Sequence, residues 1–115
     1  TYYDLTGFRR DILEAIAAIY GQTYGLAVEE VLDERYSEPI GHSRLYQNLD
    51  ALQTEGLVTS EPIDDRTNAY ELTDEGQTLL WSHADDLSAT CGRLAPAEQT
   101  VPSAGVTDSV PSRRR

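Results

Sequence analysis

The stretch that decides the fold reads GHSRLYQNLDALQTEGLV from Gly41 to Val58 and DDRTNAYELTDEG from Asp64 to Gly76. Its first part predicts a helix from His42 to Thr54, because leucines recur at the i, i+4, i+7 spacing of one buried helix face. These leucines are Leu45, Leu49 and Leu52. Gly56 suits the left-handed position just past a helix end. A strand, a polar turn, a second strand and a capped helix are expected to follow.

The second part of the stretch supplies those later elements. Strands are expected at 57–60 and 69–72, joined by the polar loop 64–68. Thr73 with Gly76 is expected to start a fourth helix, since a Thr hydroxyl can cap the first turn, and Asp74 and Glu75 suit the positive N-terminal end of that helix. We expect this helix to continue to about Cys91.

Two further helices are predicted before the deciding stretch. Apolar spacing indicates a first helix that begins near Thr6, which can cap it, and runs to Tyr20. A second is expected from about Leu26 to Tyr36, followed by breaks at Pro39 and Gly41. Three helices and a hairpin in this order predict a mostly α, α+β fold: a winged helix-turn-helix with a C-terminal dimerisation helix.

The 115 residues are enough for one domain with a single small core. We expect this domain to span residues 1–94, with the dimerisation helix at 73–94. Residues 95–115 are rich in Pro and Ser and lack helical or strand periodicity, which indicates a flexible tail.

An apolar seam supports the dimerisation helix. Leu80, Leu87 and Leu94 fall seven residues apart, with Ala84 and Cys91 between them. Such spacing is typical of a short coiled-coil interface. The alternative is that these leucines pack against the first helix of the same chain, and the two interpretations are compatible.

The spaced set of residues resembles the PadR-like winged-helix regulators. It comprises Leu45-Tyr46, Leu49, Leu52, Glu55-Gly56-Leu57-Val58, Arg66, Tyr70, Leu72-Thr73 and Gly76, with Gly25-Leu26 upstream. The similarity covers about Leu5 to Leu80. It implies a homodimeric repressor or activator that binds double-stranded promoter DNA, with dimer contacts from the first and last helices. Unlike longer family members, this chain has no second C-terminal bundle of helices, so an effector pocket there is in doubt.

The composition is strongly acidic. Ten Asp and ten Glu face nine Arg and no Lys, which gives a formal net charge of -11. Carboxylates hold water and cations, and molar salt screens their mutual repulsion. We interpret the sequence as a protein of an extreme halophile; the alternative is an acidic protein of a mesophile. The Lys-free version is similar to haloarchaeal members of the family, and the resemblance to a stress regulator among them implies a role in stress response.

The sequence also limits compartment and redox chemistry. No apolar run approaches the roughly 20 residues that span a bilayer, so we expect a cytoplasmic protein without membrane association. Cys91 is the single cysteine, which excludes an intrachain disulfide. It could sense oxidants, but a small buried residue is the favoured interpretation.

The third helix of a helix-turn-helix enters the major groove. Its exposed face here offers Ser43, Arg44 and Gln47, with His42 and Asn48 at the margins. Arg can bond guanine O6 and N7, and Gln or Asn can bond adenine N6 and N7. We therefore predict base contacts from these five residues; the alternative is an ordinary solvated helix face.

Backbone contacts are expected from two other places. Arg66, Thr67 and Asn68 lie at the hairpin tip, where a wing would contact phosphate or the minor groove. The alternative is that Arg66 pairs with Asp64 or Asp65. Arg9 and Arg10 could clamp a phosphate, or could pair with Asp4 or Glu14 on the first helix. Tyr46 and Tyr70 are expected in the core.

High salt opposes such contacts. With about six neutralised phosphates, a 30-fold rise in salt costs on the order of eight decades of affinity. Asp50 on the third helix and Asp64 and Asp65 on the wing would also repel phosphate. We therefore hypothesise that weakly bound potassium or sodium ions bridge these carboxylates to DNA, with no tightly bound metal and no other cofactor.

An enzyme is not expected. His42 and His83 lie on different predicted helices, and no metal-ligand spacing, phosphate loop or nucleophile elbow is found. The stronger competing interpretation is a winged-helix module that contacts proteins rather than DNA, since fold alone does not fix function. The charge of -11 favours this alternative, whereas the polar face of the third helix favours DNA.

Overall fold

The computed structural model describes residues 1–19 and 23–94. A 3-10 turn at Tyr2–Asp4 is followed by α1 (Gly7–Ala18), α2 (Gly25–Arg35), α3 (His42–Thr54), β1 (Val58–Pro62), β2 (Asn68–Leu72) and α4 (Asp74–Cys91). Thr1–Asp85 forms one compact unit, and the described residues from Asp86 onward belong to a second. The predicted fold class is confirmed: a mostly helical chain with a two-stranded antiparallel wing. The tail at 95–115 lies outside the described residues.

Helix α1 begins where the sequence predicts. The Thr6 hydroxyl caps it by accepting a hydrogen bond from the Arg9 N–H at 3.3 Å. The helix ends at Ala18, before the expected end at Tyr20, because Ile19 already adopts an extended conformation with φ -92° and ψ 130°.

The core lies between the apolar faces of the first three helices. The largest fully buried side chains are Ile12, Leu13, Val28, Leu32, Leu45, Leu49 and Leu52. Each such side chain contributes about 1.5–3 kcal/mol relative to full exposure. The core also receives the buried Tyr70 from β2 and the half-buried Tyr46 from α3, which confirms the packing expected of both tyrosines.

A close approach between α2 and α3 explains Gly25. A Cβ atom at this position would lie 2.6 Å from Cζ of Tyr46 and would overlap its hydroxyl. Only glycine therefore lets the first turn of α2 pack against the Tyr46 ring. This contact fixes α3, the element on which DNA contacts were predicted.

The wing differs slightly from the predicted strands. Leu57 donates its N–H to the Leu52 carbonyl at 3.0 Å, so it closes α3 and leaves β1 to begin at Val58. The two strands pair from Val58 opposite Leu72 to Pro62 opposite Asn68. A third segment, which the sequence did not predict, lies beside β2, where the Tyr70 N–H donates to the Thr23 carbonyl at 2.7 Å.

Thr73 joins the wing to α4 as predicted. Its hydroxyl accepts from the Gly76 N–H at 3.0 Å and donates to the Gly56 carbonyl at 2.7 Å. Gly56 has the positive φ of 80° expected just past a helix end. A Cβ atom on Gly76 would overlap the Leu57 carbonyl, so the start of α4 lies directly on the chain that follows α3.

The N-terminal turn packs on α4, which the sequence did not predict. The Tyr2 ring stacks on the His83 ring at 3.9 Å between centroids. Arg10 holds this turn by donating to the Tyr2 and Tyr3 carbonyls at 3.1 and 3.0 Å. His83 is therefore part of a packing contact, and its Nδ1 is buried without a partner among the described residues.

The last helix ends at Cys91, and Gly92–Leu94 forms a turn. Leu94 therefore lies beyond the helix rather than on it. Within residues 1–19 and 23–94, no helix is long and apolar enough to cross a membrane.

Candidate nucleic-acid interface

Burial of one face of α3 defines the face that remains exposed. Leu45, Leu49 and Leu52 are fully buried against the core. Ser43, Gln47 and Asp50 lie on the other side and are exposed. A helix held by three leucines in this way presents its polar side chains outward from a rigid support.

Ser43 and Gln47 are the least constrained of the predicted base contacts. Neither side chain has a hydrogen-bond partner among the residues that the structure describes. Their hydroxyl and amide groups are therefore available to a ligand without breaking a contact within the protein.

Arg44 is exposed, and its guanidinium group contacts an aromatic ring. The carbon of its guanidinium group lies 3.9 Å from the centroid of the Phe8 ring on α1. No carboxylate among the described residues lies within ion-pair distance of it. The positive charge of Arg44 is therefore not neutralised by a protein carboxylate.

His42 and Asn48, at the margins of this face, are tied to neighbouring helices. His42 Nδ1 lies 3.1 Å from a carboxylate oxygen of Glu29 on α2. The Asn48 amide accepts from Nε of Arg9 at 2.9 Å and donates to the Arg44 carbonyl at 2.8 Å. Both ends of the Asn48 side chain are thus used, which links α1 to α3.

Arg9 and Arg10 are also engaged within the protein. Besides Asn48, Arg9 contacts the Glu55 carboxylate at 3.3 Å. Arg10 bonds the carbonyls of the N-terminal turn and lies over the Tyr2 ring at 5.1 Å. The alternative pairings with Asp4 or Glu14 are wrong, because α1 turns these guanidinium groups toward α3 and the N-terminal turn, and Glu14 pairs with Arg35 at 2.7 Å.

The wing tip leaves one arginine free of ion pairs. The Arg66 N–H donates to Oδ1 of Asp64 at 2.9 Å, which holds the pKa of that carboxyl below its usual range. The Arg66 guanidinium itself pairs with no carboxylate in the described part of the chain. Of the alternative pairing with Asp64 or Asp65, the structure therefore shows only the bond from the Arg66 backbone N–H to Asp64. Thr67 closes the loop by accepting from the Ile63 N–H at 2.8 Å, and Asn68 begins β2.

The three carboxylates predicted to bridge cations are all exposed. Asp50 lies on the polar face of α3, whereas Asp64 and Asp65 lie in the wing loop. Across residues 1–19 and 23–94, no group of three or more acidic, His or Cys side chains forms a metal-ligand cluster.

The predicted dimer residues fall into two sets. Leu80 and Ala84 line an open groove of about 570 Å³ between α1, β2 and the first half of α4. Trp81, which was not among the predicted interface residues, lines the same groove and is 70% exposed. A tryptophan beside a leucine seam was the signal that could have identified it.

The second set lies at the end of α4. Leu87 and Leu94 are 52% and 65% exposed, and Cys91 is exposed as well. The prediction of a buried Cys91 is wrong for the single chain, because Cys91 and every other residue from Ala84 to Leu94 are exposed.

The chain matches known regulators in sequence and fold. A family model described as the transcriptional regulator PadR-like family matches residues 12–82. H. salinarum RosR, in crystals grown from NaBr, is 40% identical with a TM-score of 0.70, over 85% of this chain and 86% of that chain. In the complex designated RosR-S1, the same regulator is 41% identical with a TM-score of 0.67, over 80% and 78%.

More distant structures share the fold alone. A PadR family regulator from Eggerthella lenta is 24% identical over 74% of this chain and 80% of that chain, with a TM-score of 0.56. No curated protein matches the chain.

Proposed function

Because the chain belongs to the PadR-like family of transcriptional regulators, we propose that it is a homodimer that binds promoter DNA sequence-specifically. Helix α3 enters the major groove, and the hairpin tip contacts the backbone or the minor groove. The observation that carries this proposal is the geometry of α3: three fully buried leucines on one face and free polar groups on the other.

Base readout is assigned to Ser43, Arg44 and Gln47. Gln47 can bond adenine through its amide, and Arg44 can bond guanine through two N–H groups. Asn48 would have to break two hydrogen bonds to reach a base, and His42 is held by Glu29. Their contribution is therefore to position α3, with base contact as a secondary role.

Phosphate contact is assigned mainly to Arg66 with Thr67 and Asn68. Arg66 carries a positive charge that no described carboxylate neutralises. Arg9 would have to exchange Glu55 for a phosphate, and Arg10 would have to leave the N-terminal turn. Both can contribute only at the expense of contacts that hold α1 in place.

Potassium or sodium ions complete the interface in molar salt. Exposed carboxylates at Asp50, Asp64 and Asp65 would repel phosphate unless a cation lay between them. Binding would then take up cations, which offsets the release of counterions that weakens ordinary complexes at high salt. The net charge of -11 without Lys supports a halophilic setting for this mechanism.

The homodimer is supported by apolar side chains that one chain leaves exposed. Trp81, Leu87 and Leu94 are each more than half exposed. Exposed apolar side chains that gather into a contiguous patch mark interaction surfaces. A second copy would cover the predicted seam of Leu80, Ala84, Leu87, Cys91 and Leu94.

The test is selection of binding sites from random duplex DNA, followed by titration of the selected site in KCl from about 0.2 to 3 M, a range over which ordinary phosphate contacts weaken steeply. We expect specific binding that persists at high salt and is lost in Arg44→Ala and Gln47→Ala. Arg35→Ala is the matched control, because Arg35 is exposed and pairs with Glu14 away from α3. A steep loss of affinity between 0.5 and 3 M KCl that Asp50→Asn and Asp64→Asn leave unchanged would refute the bridging cations.

The competing function is a winged-helix module that contacts proteins. The charge of -11 favours it, since DNA repels such a surface. No enrichment of any DNA at any salt concentration would support this module and refute the DNA-binding proposal.

We further propose that the protein acts in a cytoplasmic stress response. The exposed Cys91 is the residue through which an oxidant could act. A Cys91→Ser strain that regulates its targets normally after oxidant treatment would remove this thiol from the signal.

A further inference from the structure

The guanidinium group of Arg44 lies over an aromatic ring that belongs to another helix. The carbon of its guanidinium group is 3.9 Å from the Phe8 centroid, within contact distance of a stacked pair. Phe8 is only 7% exposed, whereas Arg44 is exposed. A buried ring on α1 thus supports a solvent-facing cation on α3.

The ring is itself fixed by two further contacts. Phe8 packs edge-on against Tyr36 with 5.9 Å between centroids. The Tyr36 hydroxyl donates to Oδ2 of Asp11 at 2.5 Å. Burial and this hydrogen bond raise the pKa of Tyr36 to about 12, so the hydroxyl stays protonated as a donor. Asp11, Tyr36 and Phe8 therefore form a continuous support beneath Arg44, which we call the arginine platform.

Stacking occupies the face of a guanidinium group and leaves its edge free. All five N–H donors of Arg lie in the plane of the group, in the fork that matches bidentate acceptors. Guanine O6 and N7 are such acceptors in the major groove. A guanidinium group already held over a ring loses less freedom on binding than a mobile side chain, which favours the bidentate contact.

We propose that Phe8 is a positioning residue for sequence readout, because it holds the Arg44 guanidinium with its edge toward guanine. This inference rests on the proposed DNA-binding function and names the base and the residue that orients its reader. Arg44 remains stacked on Phe8 in the specific complex. The alternative is that Arg44 contacts Phe8 only in the free protein and leaves the ring when DNA binds.

The first test measures how strongly the protein discriminates between guanine and a modified guanine, rather than its affinity for one site. Each guanine of the selected site is replaced by 7-deazaguanine, which lacks the N7 acceptor, and binding is compared in molar KCl. The unaltered protein is expected to lose roughly 10-fold in affinity at one guanine per half-site. Phe8→Leu should lose most of this discrimination and bind the modified site as the unaltered protein does. Phe8→Tyr keeps the ring and should keep the discrimination.

A Phe8→Leu protein that discriminates as well as the unaltered one would overturn the inference. The inference would also fail if a folded Phe8→Leu protein lost the same factor of affinity for the natural and the modified site, since the ratio of the two affinities would then be unchanged. These results differ from the failure of the proposed function, in which the unaltered protein binds no site specifically.

A second measurement needs no change at Phe8, which covers the case in which Phe8→Leu does not fold. A ring current shifts the side-chain N–H resonance of Arg44 upfield, and Arg44→Lys identifies that resonance by its loss. The inference predicts an upfield shift in the free protein that is retained in the specific complex. Loss of the shift on binding would show that Arg44 leaves the platform.

Discussion

The packing of α3 depends on a glycine on another helix, and Gly25→Ala tests this dependence. Gly25 is the first residue of α2, and its Cα faces the ring of Tyr46. The added Cβ atom would lie 2.6 and 2.9 Å from two ring carbons and would overlap the hydroxyl. Favourable carbon contacts lie at about 3.5–4.0 Å, so the ring has to move by about 1 Å.

The size of the effect follows from this overlap. Inserting a methyl group into a packed contact costs about 1–3 kcal/mol, and the rigid Tyr46 ring favours the upper half of that range. The higher helix propensity of Ala offsets at most about 1 kcal/mol. We therefore expect a net loss of about 2 kcal/mol, or roughly 8–16 °C in the melting temperature of a domain of this size.

Gly7→Ala is the matched control. Gly7 is the first residue of α1, and a Cβ atom there would meet no atom within 4 Å. Ala should therefore stabilise the protein slightly, by up to about 1 kcal/mol. The two variants place the same methyl group at equivalent helix positions, so their difference isolates the contact with Tyr46.

The assay is urea or guanidinium unfolding at one fixed KCl concentration, with Tyr46→Leu and the double variant included. Removal of the ring should relieve the clash. The double variant should therefore lose less free energy of unfolding than the sum of the two single losses, by about 1 kcal/mol or more. Additive losses, or a Gly25→Ala protein as stable as Gly7→Ala, would refute the argument.

Three further predictions concern other parts of the chain. Gly76→Ala should destabilise by about 1–3 kcal/mol in urea unfolding, because its Cβ atom would overlap the Leu57 carbonyl, and a normal unfolding midpoint would contradict this. The pKa of Tyr36 is raised from 10.0 to about 12, so the stability that protonated Tyr36 contributes is present below pH 10 and is lost as pH rises toward 12. Tyr36→Phe should remove the tyrosinate absorbance step that occurs at the highest pH in an alkaline titration. It should also reduce the loss of unfolding free energy over the same pH range. Leu87→Glu should yield monomers in sedimentation equilibrium, whereas Ser88→Glu, with the same charge on the neighbouring exposed residue, should remain dimeric.

Local signals predicted the elements that present the interface. The leucine spacing identified α3, the glycines at Gly41 and Gly56 gave its two ends, and Thr73 was recognised as the cap of α4. Both signals act within a few residues, since a helix period and a capping bond involve only near neighbours. The polar face of α3 could therefore be assigned from sequence.

Contacts between elements could not be predicted in the same way. Arg9 and Asn48 are 39 residues apart, and their hydrogen bond depends on how α1 and α3 cross. The same crossing places Phe8 under Arg44 and Tyr36 beside Asp11. Periodicity identifies the buried face of each helix but not which exposed side chains meet at its border, so the support of the reading residues emerged only from the structure.

These contacts also bear on how a DNA-binding protein can work in molar salt. Arg9, Arg10 and Arg35 are held by protein groups, which leaves Arg44 and Arg66 as the free cations of the proposed interface. Because Arg44 is assigned to guanine, a dimer would neutralise about two phosphates through Arg66, and a 30-fold rise in salt would cost roughly three decades of affinity rather than eight. Fewer ionic contacts thus reduce the dependence on salt, and bridging cations would reduce it further. Contacts whose strength does not depend on salt, such as hydrogen bonds from Gln47 and the fixed edge of Arg44, must then supply a larger share of the specificity.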